Sequence, residues 1–87
     1  MDNKNNYGRK QCACCGHYTI TEIKETCPVC FWEEDSYQEK YIDDSGGPNN
    51  VSLRQAVANY KKMRVIEERF VNDVRPPQQD ELGSVSK

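Results

Sequence analysis

The chain has 87 residues, of which 36 % are hydrophobic and 30 % charged, with a formal net charge of −2. That length holds one small domain with tails. It excludes a multidomain enzyme, a TIM barrel and a doubly wound nucleotide-binding domain. No apolar run exceeds four residues, against the roughly 18 that a membrane-spanning helix needs. So few apolar side chains leave folding by burial alone near balance, and a further staple is expected.

Residues 1–9 form a polar lead-in without the apolar stretch of a secretory signal, so the expected address is cytoplasmic. All five cysteines follow, between Cys12 and Cys30. In a reducing compartment such clustering points to metal ligands or redox groups before disulfides. The pairs are Cys12-Ala13-Cys14-Cys15-Gly16 and Cys27-Pro28-Val29-Cys30, each C-x2-C, separated by eleven residues. Two residues between cysteines let a tight turn aim both sulfurs at one point. Gly16 suits a turn that needs positive φ, and Pro28 pre-sets φ in the second turn. Two such turns facing each other make a tetrahedral cage for zinc. A rubredoxin-type iron site uses the same donors. A thioredoxin-like redox pair needs a βαβ context that the sequence lacks. Cys14 is the surplus thiol, either a small buried residue or a substitute for Cys12. His17 is a candidate ligand only in a shifted site. The segment from His17 to Thr26 is β-prone near its start and long enough for a short hairpin that brings the two turns together.

Phe31 and Trp32 read as core aromatics covering the metal site, with an exposed anchor as the alternative. Glu33, Glu34, Asp35, Glu39, Asp43 and Asp44 then face only Lys40. Such a run is ordinarily solvated surface. It is also a candidate docking face for a basic partner, with Glu33, Glu34, Asp35, Asp43 and Asp44 as the contact residues. Ser45-Gly46-Gly47-Pro48-Asn49-Asn50 reads as a loop.

Ser52 opens a helix as its cap, with Gln55 placed to reach back and Val51 to staple against Ala56. Leu53, Ala56, Val57, Tyr60 and Met63 recur at helical spacing, and Ile66, Phe70 and Val74 extend the stripe. The pattern allows one helix of about 22 residues, or two with a break near Met63–Val65. Lys61, Lys62 and Arg64 are a modest basic cluster, ordinary for a solvated helix face. Pro76 ends the helical part. Residues 76–87 are expected to be a polar tail, loosely ordered or docked in extended form.

These blocks, in this order, resemble the bacterial cysteine-rich CPCC family: Cys12-Ala13-Cys14-Cys15-Gly16-His17-Tyr18, Cys27-Pro28-Val29-Cys30-Phe31-Trp32-Glu33-Glu34-Asp35, Ser45-Gly46-Gly47-Pro48-Asn49, and Ser52-Leu53-Arg54-Gln55-Ala56 with Asn59-Tyr60-Lys61-Lys62. The resemblance covers about residues 10 to 80. It implies a zinc-ribbon-type module with a C-terminal helix, no enzymatic activity, and metal ligation by Cys12, Cys15, Cys27 and Cys30. It also implies an immunity or antitoxin role, because such genes are associated with toxin loci. Ala13 stands where the family's motif has proline, and Asn50 where it tends to glycine. Neither change removes a sulfur.

The expected fold is therefore a small α+β domain over residues 10–75. It comprises a zinc module at 10–32, an acidic and Gly-Pro-Asn loop at 33–50, and a helical part at 51–75. One structural Zn2+ with four cysteine ligands leaves no open position for catalysis. Four thiolates on one divalent ion would bring the net charge to about −4. Binding is the expected function, with a protein partner, specifically a basic toxin domain met by the acidic run or by strand addition at the hairpin edge. Zinc-ribbon nucleic-acid binding is the alternative, opposed by the acidic balance. Nothing in the sequence sets an oligomeric state.

Overall fold

The structure is a computed structural model and describes residues 8–83. Most of the lead-in, residues 1–7, and the last four residues of the tail lie outside the described residues. Strand β1, Lys10–Gln11, pairs antiparallel with β2, Tyr18–Ile20. Lys10 faces Ile20 and Gln11 faces Tyr18, with an irregularity between. The first cysteine turn is the tip of this hairpin. The second turn is flanked in the same way by a single antiparallel bridge, Thr26 to Glu33.

The hairpin expected within residues 17–26 is thus corrected, since each cysteine turn sits at the tip of its own minimal hairpin. The reason lies in Glu25. Its Oε1 accepts from the Thr21 N–H at 2.7 Å, the Thr21 hydroxyl at 2.9 Å and the Glu22 N–H at 3.1 Å. One carboxylate collects donors that strand pairing would have used, and the segment closes as a loop.

The acidic stretch contains an element the sequence reading assigned to loop. Helix α1 spans Ser36–Lys40. Asp35 caps it, its side chain accepting from the Gln38 N–H at 3.0 Å. Gln38 is fully buried and organises the loop that follows. Its Nε2 donates to the carbonyls of Asp44, Asn49 and Val51, at 3.0, 3.3 and 3.2 Å. Its Oε1 accepts from the Asn49 backbone and side-chain amides at 3.1 and 3.0 Å. Gly47 lies so close that a Cβ there would fall 2.7 Å from the Gln38 side chain, which explains a residue without one.

Helix α2 spans Leu53–Met63 and is capped by Ser52, whose hydroxyl accepts from the Gln55 N–H at 3.1 Å. Leu53, Ala56 and Tyr60 are its buried face. The long-helix alternative is corrected: Arg64 takes a left-handed conformation, φ 65°, and ends the helix. The chain is then captured elsewhere. Ile66 donates its N–H to the Cys30 carbonyl at 3.0 Å, and the Asn59 side chain donates to the Ile66 carbonyl at 2.7 Å. Val65 and Ile66 plug the core here. Phe70 ends a short 3-10 turn, Glu68–Phe70, and Val74 is half-buried beyond it; neither continues the helical stripe.

The core is Trp32, Ile20, Val29 and Ile66 with the cysteines, closed by Leu53, Ala56 and Tyr60. The tail is docked rather than loose over its described part. A 3-10 turn at Gln79–Glu81 buries Glu81, which takes a bidentate grip from Arg75 at 2.9 Å on each oxygen. Arg75 donates its own N–H to Pro28 O at 3.1 Å, and Arg9 pairs with Asp80 at 3.1 Å. Among the described residues, no helix is long and apolar enough to cross a membrane.

Candidate metal centre

The two cysteine turns repeat one backbone pattern. In the first, the Cys12 N–H donates to the His17 carbonyl and the Gly16 N–H to the Cys12 carbonyl, both at 2.9 Å. In the second, the Cys27 N–H donates to the Trp32 carbonyl and the Phe31 N–H to the Cys27 carbonyl, again at 2.9 Å. The residue after the second cysteine has positive φ in each: 80° at Gly16, 75° at Phe31. This shared geometry aims each pair of sulfurs inward.

Cys12, Cys15, Cys27 and Cys30 meet with their sulfurs all within 4.8 Å of one another, and all four residues are buried. Cys12 Sγ lies 3.6 Å from Cys30 Sγ, and Cys15 Sγ 3.8 Å from Cys27 Sγ. A disulfide needs about 2.05 Å, so these are free thiols. Tetrahedral thiolate ligation at a metal–sulfur distance of about 2.3 Å places sulfurs about 3.8 Å apart. The four residues therefore fit one metal ion.

The electrostatics of the cluster say why a cation suits it. The Cys27 thiol is held far below its ordinary range, first by its hydrogen bond to Cys12, then by those to Cys15, Cys30 and Thr19. Cys30 is pushed far up, first by its interaction with Cys12. Cys12 is also raised, first through Cys15. One thiolate is comfortable in this space and the rest resist ionising beside it. A divalent cation removes that conflict. Two further contacts serve Cys27: Thr19 Oγ1 lies 3.0 Å from its sulfur, and the Val29 N–H donates to it at 3.3 Å. Thr19 is a supporting residue that the sequence reading missed. The alternation of the strand gave no hint of it, since Thr19 and Ile20 are both buried.

The family model for the cysteine-rich CPCC proteins matches residues 10–81. The chain belongs to the cysteine-rich CPCC family. No curated protein matches it. In this CPCC chain the first turn reads Cys12-Ala13-Cys14-Cys15, so proline is not needed for the turn to close. Cys14 is buried outside the four-sulfur cluster, as a small core residue. His17 also lies outside it: its Nδ1 accepts the Gly83 N–H at 3.1 Å, and burial pushes its pKa down. Trp32 is fully buried and donates Nε1–H to Glu39 at 3.0 Å, while Phe31 stacks on Phe70 with centroids 4.2 Å apart.

Glu33, Glu34, Asp35, Asp43 and Asp44, the expected docking residues, do not share one open face: Glu34 and Asp35 are buried, whereas Asp43 is exposed. Glu34 is buried, accepting from Lys10 Nζ at 2.8 Å and the Lys24 N–H at 2.7 Å. Those donors hold its pKa down, Lys10 first. Asp35 is buried as the cap of α1 and pairs with Lys24 at 3.1 Å. Glu33 gives both backbone groups to the Asn49 side chain, at 2.8 and 3.0 Å. Asp43 is exposed but paired with Arg54 at 2.6 Å, and Asp44 accepts from the Tyr37 hydroxyl and the Gly46 N–H. Most of these acids are engaged in caps and ion pairs within the chain.

Proposed function

We propose that this protein is a non-enzymatic binding module whose fold is clamped by one structural Zn2+ on Cys12, Cys15, Cys27 and Cys30. The observation that supports it is the four buried sulfurs converging from two separate hairpins. Four thiolate ligands fill a tetrahedral zinc site and leave no position for a substrate or an activated water. Zinc favours such all-sulfur tetrahedra, and iron is the competitor with the same donors. Binding energy at a structural site is folding energy, about 10–16 kcal/mol in small zinc modules. That is ample for a domain of this size, whose core alone is thin.

In this reading the partner is another protein, and a bacterial toxin domain is the specific candidate. Its support is the family's association with toxin loci, together with four cysteines gathered where they could hold a metal ion. Two measurements test the proposal. Elemental analysis and native mass spectrometry of reduced protein should give one zinc per chain, and chelation should abolish the cooperative melt. Coexpression should restore growth to cells that express a toxic domain found encoded beside the gene. A metal-free protein with an unperturbed melt overturns the first part, and absence of protection at matched expression overturns the second.

A further inference from the structure

We propose that the partner seats on the groove between the end of α2 and residues 71–77. The occupant is a protein segment with one or two large apolar side chains flanked by carboxylates. This deepens the protein-binding reading above and rests on it. The groove encloses about 440 Å³, with an apolar lining that includes Val29, Tyr60, Met63, Val71, Val74 and Pro77. Val71 is 50 % exposed, a large apolar side chain at its edge without cover. A neighbouring hollow of about 240 Å³ shares His17, Tyr60 and Arg64 and adds Lys61. The floor includes Val29 on one side and Cys14 and Cys15 on the other, so it is built on both cysteine turns.

Arg64 gives the surface its chemistry. Among the described residues, three without glycine's freedom hold positive φ: Lys24, Phe31 and Arg64. Such a conformation costs about 1 kcal/mol or more, and a side chain retained there has a use. Lys24 uses its side chain to pair with Asp35, and Phe31 to stack on Phe70. The Arg64 guanidinium lies over the Tyr60 ring, 5.5 Å from the centroid, and interacts with the Tyr60 hydroxyl, but among the described residues no carboxylate pairs with it. Lys61, beside it, makes no salt bridge among them either. Helix α2 contains no acid, whereas Arg75 across the groove is already answered by Glu81. Lys61 and Lys62 also suit the negative end of the helix dipole. Arg64 lies past that end, where glycine is the unstrained choice. An apolar trough with unanswered cations at its rim fits an acidic-flanked apolar segment. A phosphate backbone would ask for a longer basic stripe and a polar floor.

The test is selection of random twelve-residue peptides displayed against the metal-loaded protein, followed by amide-shift mapping of the best binders. Enriched peptides should carry Leu, Phe or Trp beside Asp or Glu, and their shifts should centre on Tyr60, Met63, Arg64 and Val74. Arg64→Gly should weaken them at least tenfold while keeping or raising the melting temperature. Arg64→Glu should abolish binding and recover it with peptides whose acids are changed to lysine. A melting temperature lowered by Arg64→Gly with affinity unchanged makes the residue structural and overturns the proposal. Peptides that map elsewhere overturn this groove while leaving a protein-binding role standing. Failure to enrich any peptide also overturns the groove, and growth rescue then judges the protein-binding role separately. Salt-steep binding of a single-stranded RNA 20-mer at the same amides, in place of peptides, overturns it as well.

Discussion

The two cysteine turns have the same hydrogen bonds and the same positive-φ position, yet they are supported by different means. The first has Gly16 at that position, which needs no side chain to sustain it. It is flanked by a paired hairpin and backed by the tail, where the Gly83 N–H meets His17. The second places Phe31 there and has one bridge, Thr26 to Glu33. It is braced from outside by Asn49, whose side-chain amide bonds the Glu33 N–H and carbonyl as a third strand would. Ile66 takes the Cys30 carbonyl and Phe70 stacks on Phe31. Identical geometry therefore rests on local backbone preference in one turn and on distant side chains in the other. Asn49, Ile66 and Phe70 thus hold the second turn from well outside it.

The largest effect should fall on both turns alike. Removing the metal, or replacing either Cys15 or Cys27 by serine, should erase the cooperative melt seen by circular dichroism, because each turn loses its shared anchor. If Cys15→Ser melted cooperatively and Cys27→Ser did not, the turns would not share one ion. Removing the outside brace should separate them. Asn49→Ala strands the Glu33 backbone pair and leaves Gln38 Oε1 with the residue 49 backbone N–H alone, a cost of about 2 kcal/mol from unsatisfied groups. Hydrogen exchange should then rise at Phe31 and Ile66 and stay unchanged at Gly16.

The φ positions give the next contrast. Gly16→Ala should cost about 1–2 kcal/mol from the left-handed backbone alone. Phe31→Gly relieves that strain but loses the stack on Phe70, so the melt should still fall, by about 1 kcal/mol. In a double-mutant cycle, Phe31 and Phe70 should couple by about 1 kcal/mol, within the range of aromatic pairs. Absence of coupling would mean that the second turn does not depend on its stack. Thr19→Val should lower metal affinity about tenfold, since it removes a supporting contact to one sulfur. Cys14→Ala should leave the metal count at one per chain.

The contrast also explains what could be read from the chain. Cys12, Cys15, Cys27 and Cys30 were legible because C-x2-C spacing is a local geometric code. So were the Ser52 cap and the Leu53-Ala56-Tyr60 face. The break after Met63 was one of two alternatives, because nothing local forces Arg64 out of the helix; Cys30 and Asn59, distant in sequence, capture Ile66 instead. Helix α1 was missed although Asp35 with Gln38 three residues on is a capping signal. The surrounding acids read as solvated surface and hid it. The burial of Glu34 and Asp35 was hidden for the same reason: charge counts do not show that Lys10 and Lys24, 24 and 11 residues away, will pair with them.

The smallest effect concerns the tail, which ties the first turn to the second through Arg75 and Glu81. The Arg75 guanidinium holds the Glu81 carboxyl below the ordinary glutamate range, and the Gln78 N–H adds to it. A depressed folded pKa means that this stabilisation is complete above the ordinary glutamate value. It is lost as the pH falls through the folded value. Arg75 is substantially exposed, so solvent screening keeps the contribution modest, under about 1 kcal/mol. Acidification should therefore shift the Gln78 amide, whose N–H Glu81 accepts at 2.9 Å, before the global melt moves. Glu34 titrates in the same direction for its own reason, its bond to Lys10. Glu81→Gln separates the two: it should remove the tail's share of the acid dependence at Gln78 and leave the dependence at Lys24, whose N–H Glu34 accepts. If Gln78 kept its full acid response in that variant, the tail would be held by something other than the Arg75 clamp. The first turn would then be as self-sufficient as its glycine suggests.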